Sequence, residues 1–223
     1  TLHFIWIHLW PNAFKNDKTA FTDQDLENGN TDFYFSNADK RGYINRLDFK
    51  VNGEVAKTTD HPQHQDIIKL ILPKPIAPNS SAKIETPFHV KLPYNFSRGG
   101  HMVQAYQITQ WYPKPAVYDR KGWHTIPYLD QGEFYAEFGN YEVQITLPDN
   151  YVVAATGDLQ NASEADWLKN KQPFTRNLKA AKKAEQKKGA GMSEIPSSAK
   201  TKTLQYKQNN VHDFAWFADK TFS

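Results

Sequence analysis

The sequence predicts an all-β fold, an antiparallel β-sandwich or saddle-shaped sheet that carries a short polar helical insertion. Three observations support this prediction. Short segments rich in β-branched and aromatic residues recur along the 223 residues, and 14% of all residues are aromatic. Several segments alternate polar and apolar side chains with a period of two, which is typical of strands with one solvated face. Turn-forming pairs separate them, and Asn52-Gly53 is the strongest hairpin signal.

The first strand is predicted over residues 2–10 and ends at Pro11. Large apolar groups occupy both faces of this segment, so we expect an interior strand that is covered on two sides. His3 and His8 point to opposite faces of a regular strand, and we interpret both as core residues. A short connecting helix is predicted within residues 12–28.

Alternation and turn residues predict the remaining strands. They are expected at residues 44–51 with a hairpin return at 54–56, and at 67–72, 84–92, 134–138, 141–147, 151–156, 203–207 and 213–218.

The central stretch, residues 101–118, organises the chain. Its first half has strand composition, and its second half contains Pro113 and Pro115, which lack backbone donors and are expected to stop any ladder. A strand therefore leads into a rigid loop lined with aromatic side chains, which continues to about residue 134. Loops held on a rigid scaffold are where binding groups concentrate.

Composition limits the possible function classes. A net charge of +3 is too small to indicate a nucleic-acid partner, and we expect none. The absence of Cys excludes disulfides and thiolate chemistry and suits both the cytoplasm and a bacterial periplasm. No apolar run reaches the length of about 18 residues that spans a bilayer. Because Thr1 leads directly into a strand, we expect that the natural N-terminus has been removed.

Composition changes at about residues 161–200, where we predict the polar insertion. Ser163 is the predicted N-cap of a helix over 163–168, and a second helix is predicted over 175–188. Five lysines make the second helix basic, which would suit an anionic surface or nucleic acid. A solvated insertion between two strands is favoured because the apolar face of this helix is thin.

Catalytic motifs are absent from the sequence. No His-Glu-x-x-His, Gly-x-Ser-x-Gly, Walker A or dinucleotide fingerprint occurs. His61 and His64 stand between two Asp residues and could be imagined as a metal site, but a solvated loop is the favoured interpretation. We therefore predict no catalytic residue and no metal ligand in this chain.

Four motifs follow one another in the second half of the chain. They are Gln107-Ile-Thr-Gln-Trp-Tyr-Pro-Lys-Pro-Ala-Val-Tyr-Asp119, Gly122-Trp-His124, Glu142-Val-Gln-Ile-Thr-Leu-Pro148 and Val152-Val-Ala-Ala-Thr-Gly157. Their order resembles the N-terminal β-domain of M1-family zinc metallopeptidases, the aminopeptidase N-like gluzincins. The resemblance is strongest to the branch of Bacteroidetes-type bacteria and covers residues 4–218, although the Phe-Pro-Cys core of the wider family is replaced.

The resemblance implies that residues 1–223 are a single non-catalytic N-terminal domain of a larger peptidase. The parent is expected to be a zinc-dependent peptidase whose zinc and catalytic domain follow residue 223, so that this fragment alone is inactive. Its partners would be its own catalytic domain and a peptide substrate, in the periplasm, cell envelope or medium of a bacterium. The implied substrate-binding residues are Gln104, Gln107, Gln110, Trp111 and Tyr112.

Two points remain open at this stage: whether Gln104 and Gln107 bind a substrate, and whether the chain is instead a binding module. In relatives, amide or carboxylate oxygens near this loop hold the substrate amine, but His101 or a neighbour replaces the family Glu, and ordinary strand-face polarity explains Gln104 and Gln107 equally well. The chain could instead be a free-standing β-sandwich that binds carbohydrate or protein. Its binding groups would then be Trp111, Tyr112, Tyr118 and Trp123.

Overall fold

A computed structural model describes residues 1–170 and 195–222. It confirms an all-β fold of antiparallel sheets with only short helices. The described chain divides into two compact units. Unit 1 contains residues 1–101 and 108–137, and unit 2 contains residues 102–107 and 138–223. Whether the chain is one folding domain stays a prediction.

The strands are numbered in chain order. The first ten are β1 (Leu2–His8), β2 (Tyr43–Asn45), β3 (Lys50–Val51), β4 (Glu54–Val55), β5 (Thr58–Asp60), β6 (Ile67–Ile76), β7 (Ile84–Glu85), β8 (His89–Lys91), β9 (Gly100–Met102) and β10 (Ala105–Ile108). The others are β11 (Lys114–Pro115), β12 (Val117–Asp119), β13 (Gly122–His124), β14 (Gly139–Pro148), β15 (Val152–Ala155), β16 (Asp158–Leu159), β17 (Thr201–Val211) and β18 (Trp216–Asp219).

The helical elements are short. A 3₁₀ helix spans Trp10–Phe14 and another spans Ala38–Lys40. Helix α1 (Ala20–Glu27) begins where the Thr19 side chain accepts the N–H of Thr22, and it ends before Gly29, whose φ of +80° suits glycine. Helix α2 covers 162–170, so Ser163 lies inside the first turn and is not the predicted N-cap. The second predicted helix, 175–188, lies outside the described residues.

Unit 1 is built on an antiparallel sheet in the order β11-β1-β6-β5. As predicted, β1 is an interior strand of this sheet, paired with β6 from Leu2 to His8 and with β11 at Ile7 and His8. The expected cover on both faces is wrong, because Phe4 and Trp6 are only half-buried, and His3, which was expected in the core, is exposed. The aliphatic face of β1 packs in a core with Leu70 and Phe49. A second core of Trp10, Phe14, Phe21, Phe33 and Tyr128 gathers around the first 3₁₀ helix and α1.

The predicted Asn52-Gly53 hairpin is confirmed. Both residues have positive φ, 51° and 84°, as a type I′ turn requires, and β3 pairs with β4 on either side of them. In unit 2, β14 pairs with β17 over most of its length and β16 adds to the far side of β17. β15 pairs with β18. The strands predicted in this unit after residue 140 are therefore confirmed.

Several predicted strands are wrong in extent. The strand expected over 44–51 breaks at Arg46, whose φ is +59°, and the strand over 84–92 breaks around Pro87. Residues 134–138 form no strand; Phe134 instead packs against Trp10 and Tyr128 at 4.7 and 5.1 Å between ring centres. The partly buried Phe134 thus packs on the second core where a strand was expected.

The central stretch also departs from prediction. Its first half is two strands, β9 and β10, with Val103 at φ +52° between them. Pro113 and Pro115 were expected to stop any ladder, but Pro115 lies in β11 opposite Ile7, and the Ala116 N–H donates to Trp6 O over 2.8 Å. β11 is at the edge of its sheet, where a missing donor is tolerated.

Candidate functional site

A cleft in unit 1 is the candidate functional site. Its empty volume is about 320 Å³, which includes open solvent, and its enclosed part has room for about one or two water-sized groups. It can therefore accept the tip of a side chain or the edge of a small ring. Its walls are mostly aromatic and apolar. They are Trp10, Pro11, Phe14, Val90, Leu92, Pro93, Gly99, Gly100, Thr109, Gln110, Trp111 and Tyr128.

The backbone turns sharply after β10 to form one wall. Gln110 has a φ of +47°, an uncommon conformation for a residue other than glycine. Residues held in sparsely populated backbone regions concentrate at ligand sites and switch regions, where the surrounding structure maintains the strain. The turn sets Thr109, Gln110 and Trp111 in succession along the cleft.

Trp111 is supported by other rings. Its centroid lies 5.8 Å from that of Phe88 and 5.2 Å from that of Tyr112. The ammonium of Lys114, a buried residue, lies 5.7 Å from the centre of the Tyr112 ring. Tyr112 itself does not line the cleft, and it contacts the cleft wall through Trp111.

The part of the wall formed by Trp10 and Tyr128 is held by hydrogen bonds and stacking. The Trp10 Nε1–H donates to Ile126 O over 3.3 Å, and the imidazole of His8 stacks on the indole with centroids 4.6 Å apart and planes 11° apart. The Tyr128 hydroxyl bonds to Ser97 Oγ over 3.1 Å. These contacts fix both aromatic walls before a ligand arrives, which lowers the entropic cost of binding.

A buried hydroxyl of the cleft wall lacks a partner among the described residues. Thr109 Oγ1 is buried and makes no hydrogen bond to any residue in ranges 1–170 and 195–222. A buried unpaired hydroxyl costs about 1–3 kcal/mol, and it can both donate and accept. Thr109 lines the cleft, so its hydroxyl is the candidate polar partner for a ligand there.

The five predicted binding residues do not all line the cleft. Gln110 and Trp111 line it, and Tyr112 contacts Trp111. Gln104 and Gln107 belong to unit 2, where Gln104 Oε1 accepts a hydrogen bond from Ser197 Oγ over 3.2 Å and Gln107 is exposed. Their assignment to substrate binding stays a prediction.

The pair His61 and His64 does not fit a zinc site. Their rings stack at 5.0 Å, and His61 Nδ1 accepts the backbone N–H groups of Gln63 and His64, so this nitrogen has no lone pair for a metal. Burial lowers the pKa of both imidazoles, and the positive charges of His64 and Lys69 add to the effect on His61. No cluster of three or more metal-ligating side chains occurs in the described ranges.

Sequence reasoning missed several walls of the cleft. Trp10 was interpreted as core, and Thr109 and Tyr128 were not singled out. One signal was present: β1 and the residues after it place Phe4, Trp6, His8 and Trp10 at even positions and Ile5, Ile7 and Leu9 at odd positions. This period of two separates an aromatic face from an aliphatic one.

Comparison with known proteins adds no relative. No protein-family model matches the chain, and no curated protein matches it significantly. The resemblance to M1 peptidases therefore stays a prediction.

None of the helices in the described ranges is long and apolar enough to cross a membrane.

Proposed function

We propose that the chain is a non-catalytic N-terminal β-domain of an M1-like zinc metallopeptidase, which packs on the catalytic domain and helps to shape the peptide-binding cleft. The observation that carries this proposal is the cleft in which Gln110 and Trp111 lie beside the unpaired hydroxyl of Thr109. Two residues implied by the family resemblance thus meet at a concave, mostly apolar site, which is typical of ligand binding.

A peptide has the chemistry that this cleft accepts. An apolar side chain of the peptide would enter between Trp10 and Trp111. A backbone N–H or C=O of the peptide would pair with the Thr109 hydroxyl, which can serve as acceptor or donor. The small enclosed volume limits the contact to one side chain, so the cleft would contribute to substrate positioning and would not enclose the peptide.

Gln104 and Gln107, which belong to unit 2, are separate candidates for holding a substrate amine and are proposed independently of the cleft in unit 1. A protonated amine offers only donors, and an amide oxygen accepts from it. Zinc and its ligands would belong to the catalytic domain of the parent protein, which we place in the bacterial periplasm, envelope or medium. Zinc there would activate a water molecule for hydrolysis.

The test compares this chain with the parent protein. Zinc content and hydrolysis of aminoacyl-coumarin and longer peptides would be measured for both. We expect zinc and activity in the parent alone. In the parent, Trp111→Ala and Thr109→Val should raise KM for peptides about 5- to 20-fold and leave zinc content unchanged, since they alter only binding contacts. Phe35→Ala, an exposed aromatic of the same unit that does not line the cleft, is the matched control.

Two further measurements separate the parts of the proposal. Alanine at Gln104 or Gln107 should raise KM for peptides with a free N-terminus and not for acetylated ones. Equal effects on both substrates would contradict amine anchoring. A parent protein without zinc or hydrolysis would refute the peptidase assignment itself, and an unchanged KM in Trp111→Ala would remove the cleft from it.

A binding module for carbohydrate or protein is the second candidate, and one observation favours it. Tyr118 is 53% exposed and lies 4.8 Å, between ring centres, from Trp123 across the β12–β13 hairpin. The four aromatic residues considered for this function form two groups. Trp111 contacts Tyr112 and Phe88, whereas Trp123 contacts Tyr118 and Phe4. A module of this kind would bind its ligand without zinc or hydrolysis.

A further inference from the structure

A row of ring contacts runs through unit 1, and none of its members lines the cleft. Successive ring centres are 4.8 to 6.0 Å apart. We call this row the aromatic stripe. Its members, in order, are Tyr118, Trp123, Phe4, Trp6, His61 and His64.

The alternation of β1 explains why the stripe is accessible. Ile5 and Ile7 point into the aliphatic core, so Phe4 and Trp6 lie on the other face, where both are only half-buried. In the neighbouring strand β6, Lys69 is directly opposite Trp6 and Ile71 is directly opposite Phe4. Opposite residues share a face, so these two side chains belong to the same surface. Ile71 is 38% exposed.

Lys69 gives the stripe a positive charge. Its ammonium lies 4.8 Å from the centre of the Phe4 ring and 4.7 Å from that of Trp6, within cation–π range of both faces. No carboxylate of the described chain forms an ion pair with it. The exposed Lys57, whose carbonyl accepts the Ile71 N–H, adds a second cation at the edge of this sheet.

We propose that the aromatic stripe binds an acidic segment of a separate protein. A carboxylate of the partner pairs with Lys69, and an apolar side chain next to it packs on Tyr118 and Trp123. Charge complementarity supports this partner, because a fixed ammonium without a counter-ion borders an apolar surface. Aromatic residues that are already anchored lose little entropy on binding and dominate interface energetics.

The ring geometry favours a protein over a stacked sugar. Four of the five successive ring pairs are tilted by 30° or more, and only Tyr118 is more than half exposed. The Lys69 ammonium already lies over the faces of Phe4 and Trp6. The stripe thus lacks the open, flat row of ring faces on which successive sugars stack. This proposal is independent of the peptidase assignment.

A phage-displayed library of random 12-residue peptides, selected on the whole chain, tests the proposal. We expect enrichment of Asp or Glu next to aromatic or aliphatic residues. Selected peptides should bind Lys69→Met and Tyr118→Ala at least five-fold more weakly by fluorescence polarisation and Lys69→Arg within about two-fold. Matched controls in the same unit are Lys50→Met and Phe35→Ala, which change an exposed lysine and an exposed aromatic outside the stripe.

Four outcomes would overturn the proposal. The first is a library without acidic enrichment. The second is undiminished binding of selected peptides to folded Tyr118→Ala and, if it folds, Lys69→Met; Tyr118 is exposed, so its variant is expected to keep the fold. The third is binding of polygalacturonate that both variants abolish, which would assign the stripe to an acidic glycan. The fourth is a dimer in sedimentation that both variants dissociate, which would assign it to a second copy of this chain.

Discussion

The backbone N–H of Tyr128 donates to the buried carboxylate of Asp66 over 2.6 Å, which connects a wall of the cleft to the start of β6. Burial raises the pKa of Asp66 to about 6, although the hydrogen bonds from backbone N–H groups oppose the shift. The Leu9 N–H donates to the carbonyl of the same residue over 2.7 Å. In His8, the last residue of β1, burial and the charge of Lys114 lower the pKa to about 4. Two neighbouring segments thus hold titratable groups with opposite shifts.

These shifts predict opposing effects of pH on stability. Asp66 has a higher pKa in the folded state, so its contribution is fully present below its unfolded pKa, near 4, and is lost as pH rises through 6. His8 has a lower pKa in the folded state, so its contribution is present above about 6.5 and is lost as pH falls through 4. Each contribution changes the free energy of unfolding by about 3 kcal/mol across its pH range. The two changes have opposite signs, so they largely cancel in the wild type.

Single variants separate the two groups. The free energy of unfolding of Asp66→Asn, relative to wild type, should be higher at pH 7 than at pH 4, because the cost of a buried carboxylate is removed. For His8→Phe the relative value should be higher at pH 4 than at pH 7. Urea titrations at pH 4, 5, 6 and 7 measure both differences. Parallel differences in the two variants would contradict the assigned shifts.

Gly157 is predicted to be intolerant of a side chain. Its φ is +88°, and an added Cβ would lie 2.5 Å from Lys207 O and 2.7 Å from Gln208 Cβ. Gly157→Ala should therefore lower the unfolding free energy by roughly 2–4 kcal/mol, from backbone strain and overlap with β17. Gly53 has a similar φ of +84° with open space around it, so Gly53→Ala should cost only about 1 kcal/mol. Equal losses in chemical denaturation would refute the steric part of this explanation.

Phe33 is predicted to be a main support of the second core, although its sequence neighbourhood has loop composition. It is fully buried and lies 5.2 Å from Phe21 and from Phe96 between ring centres. Phe33→Ala should destabilise unit 1 by about 3–5 kcal/mol. Phe35, two residues later, is 76% exposed, and Phe35→Ala should change stability by less than about 0.5 kcal/mol. Thermal and urea unfolding of both variants would show the contrast, and similar stabilities would contradict it.

The ion pair between Glu164 and Lys202 is predicted to stabilise the folded chain because both side chains are nearly buried. The two side chains are 10% and 14% exposed, their charged atoms are 2.5 Å apart, and the ammonium lies 4.0 Å from the centre of the Trp167 ring. Glu164→Gln leaves this ammonium without its counter-ion and should cost about 3 kcal/mol. In the same helix, the pair of Asp166 with Lys169 is more than 70% exposed on both sides.

Asp166→Asn is therefore the matched control for Glu164→Gln. Its loss should be below about 0.5 kcal/mol, because solvent and salt screen the exposed pair. The unfolding free energy should be measured at low and high salt. A loss for Glu164→Gln that vanishes in high salt would indicate that this pair is solvated as well.

The sequence predicted much of the strand framework because its signals are local. The apolar groups of residues 2–8 correctly predicted that β1 pairs on both edges, although its aromatic face is only half-buried. Asn52-Gly53 specified its hairpin through the backbone conformations that these two residues readily adopt. Where one large side chain packs on the core in place of strand pairing, as Phe134 does, the prediction was wrong.

For the candidate site, the amino-acid sequence shows which residues are aromatic or amide-bearing and, within a strand, which face each occupies. Tertiary structure alone decided which of them meet. Trp10 and Trp111 line one cleft although about one hundred positions separate them, and Phe4 joins Trp123 in the stripe. The period of a strand fixes the direction of its side chains, but the partner that covers each face depends on long-range packing. The same packing divided the predicted binding residues, with Gln110 in unit 1 and Gln104 in unit 2.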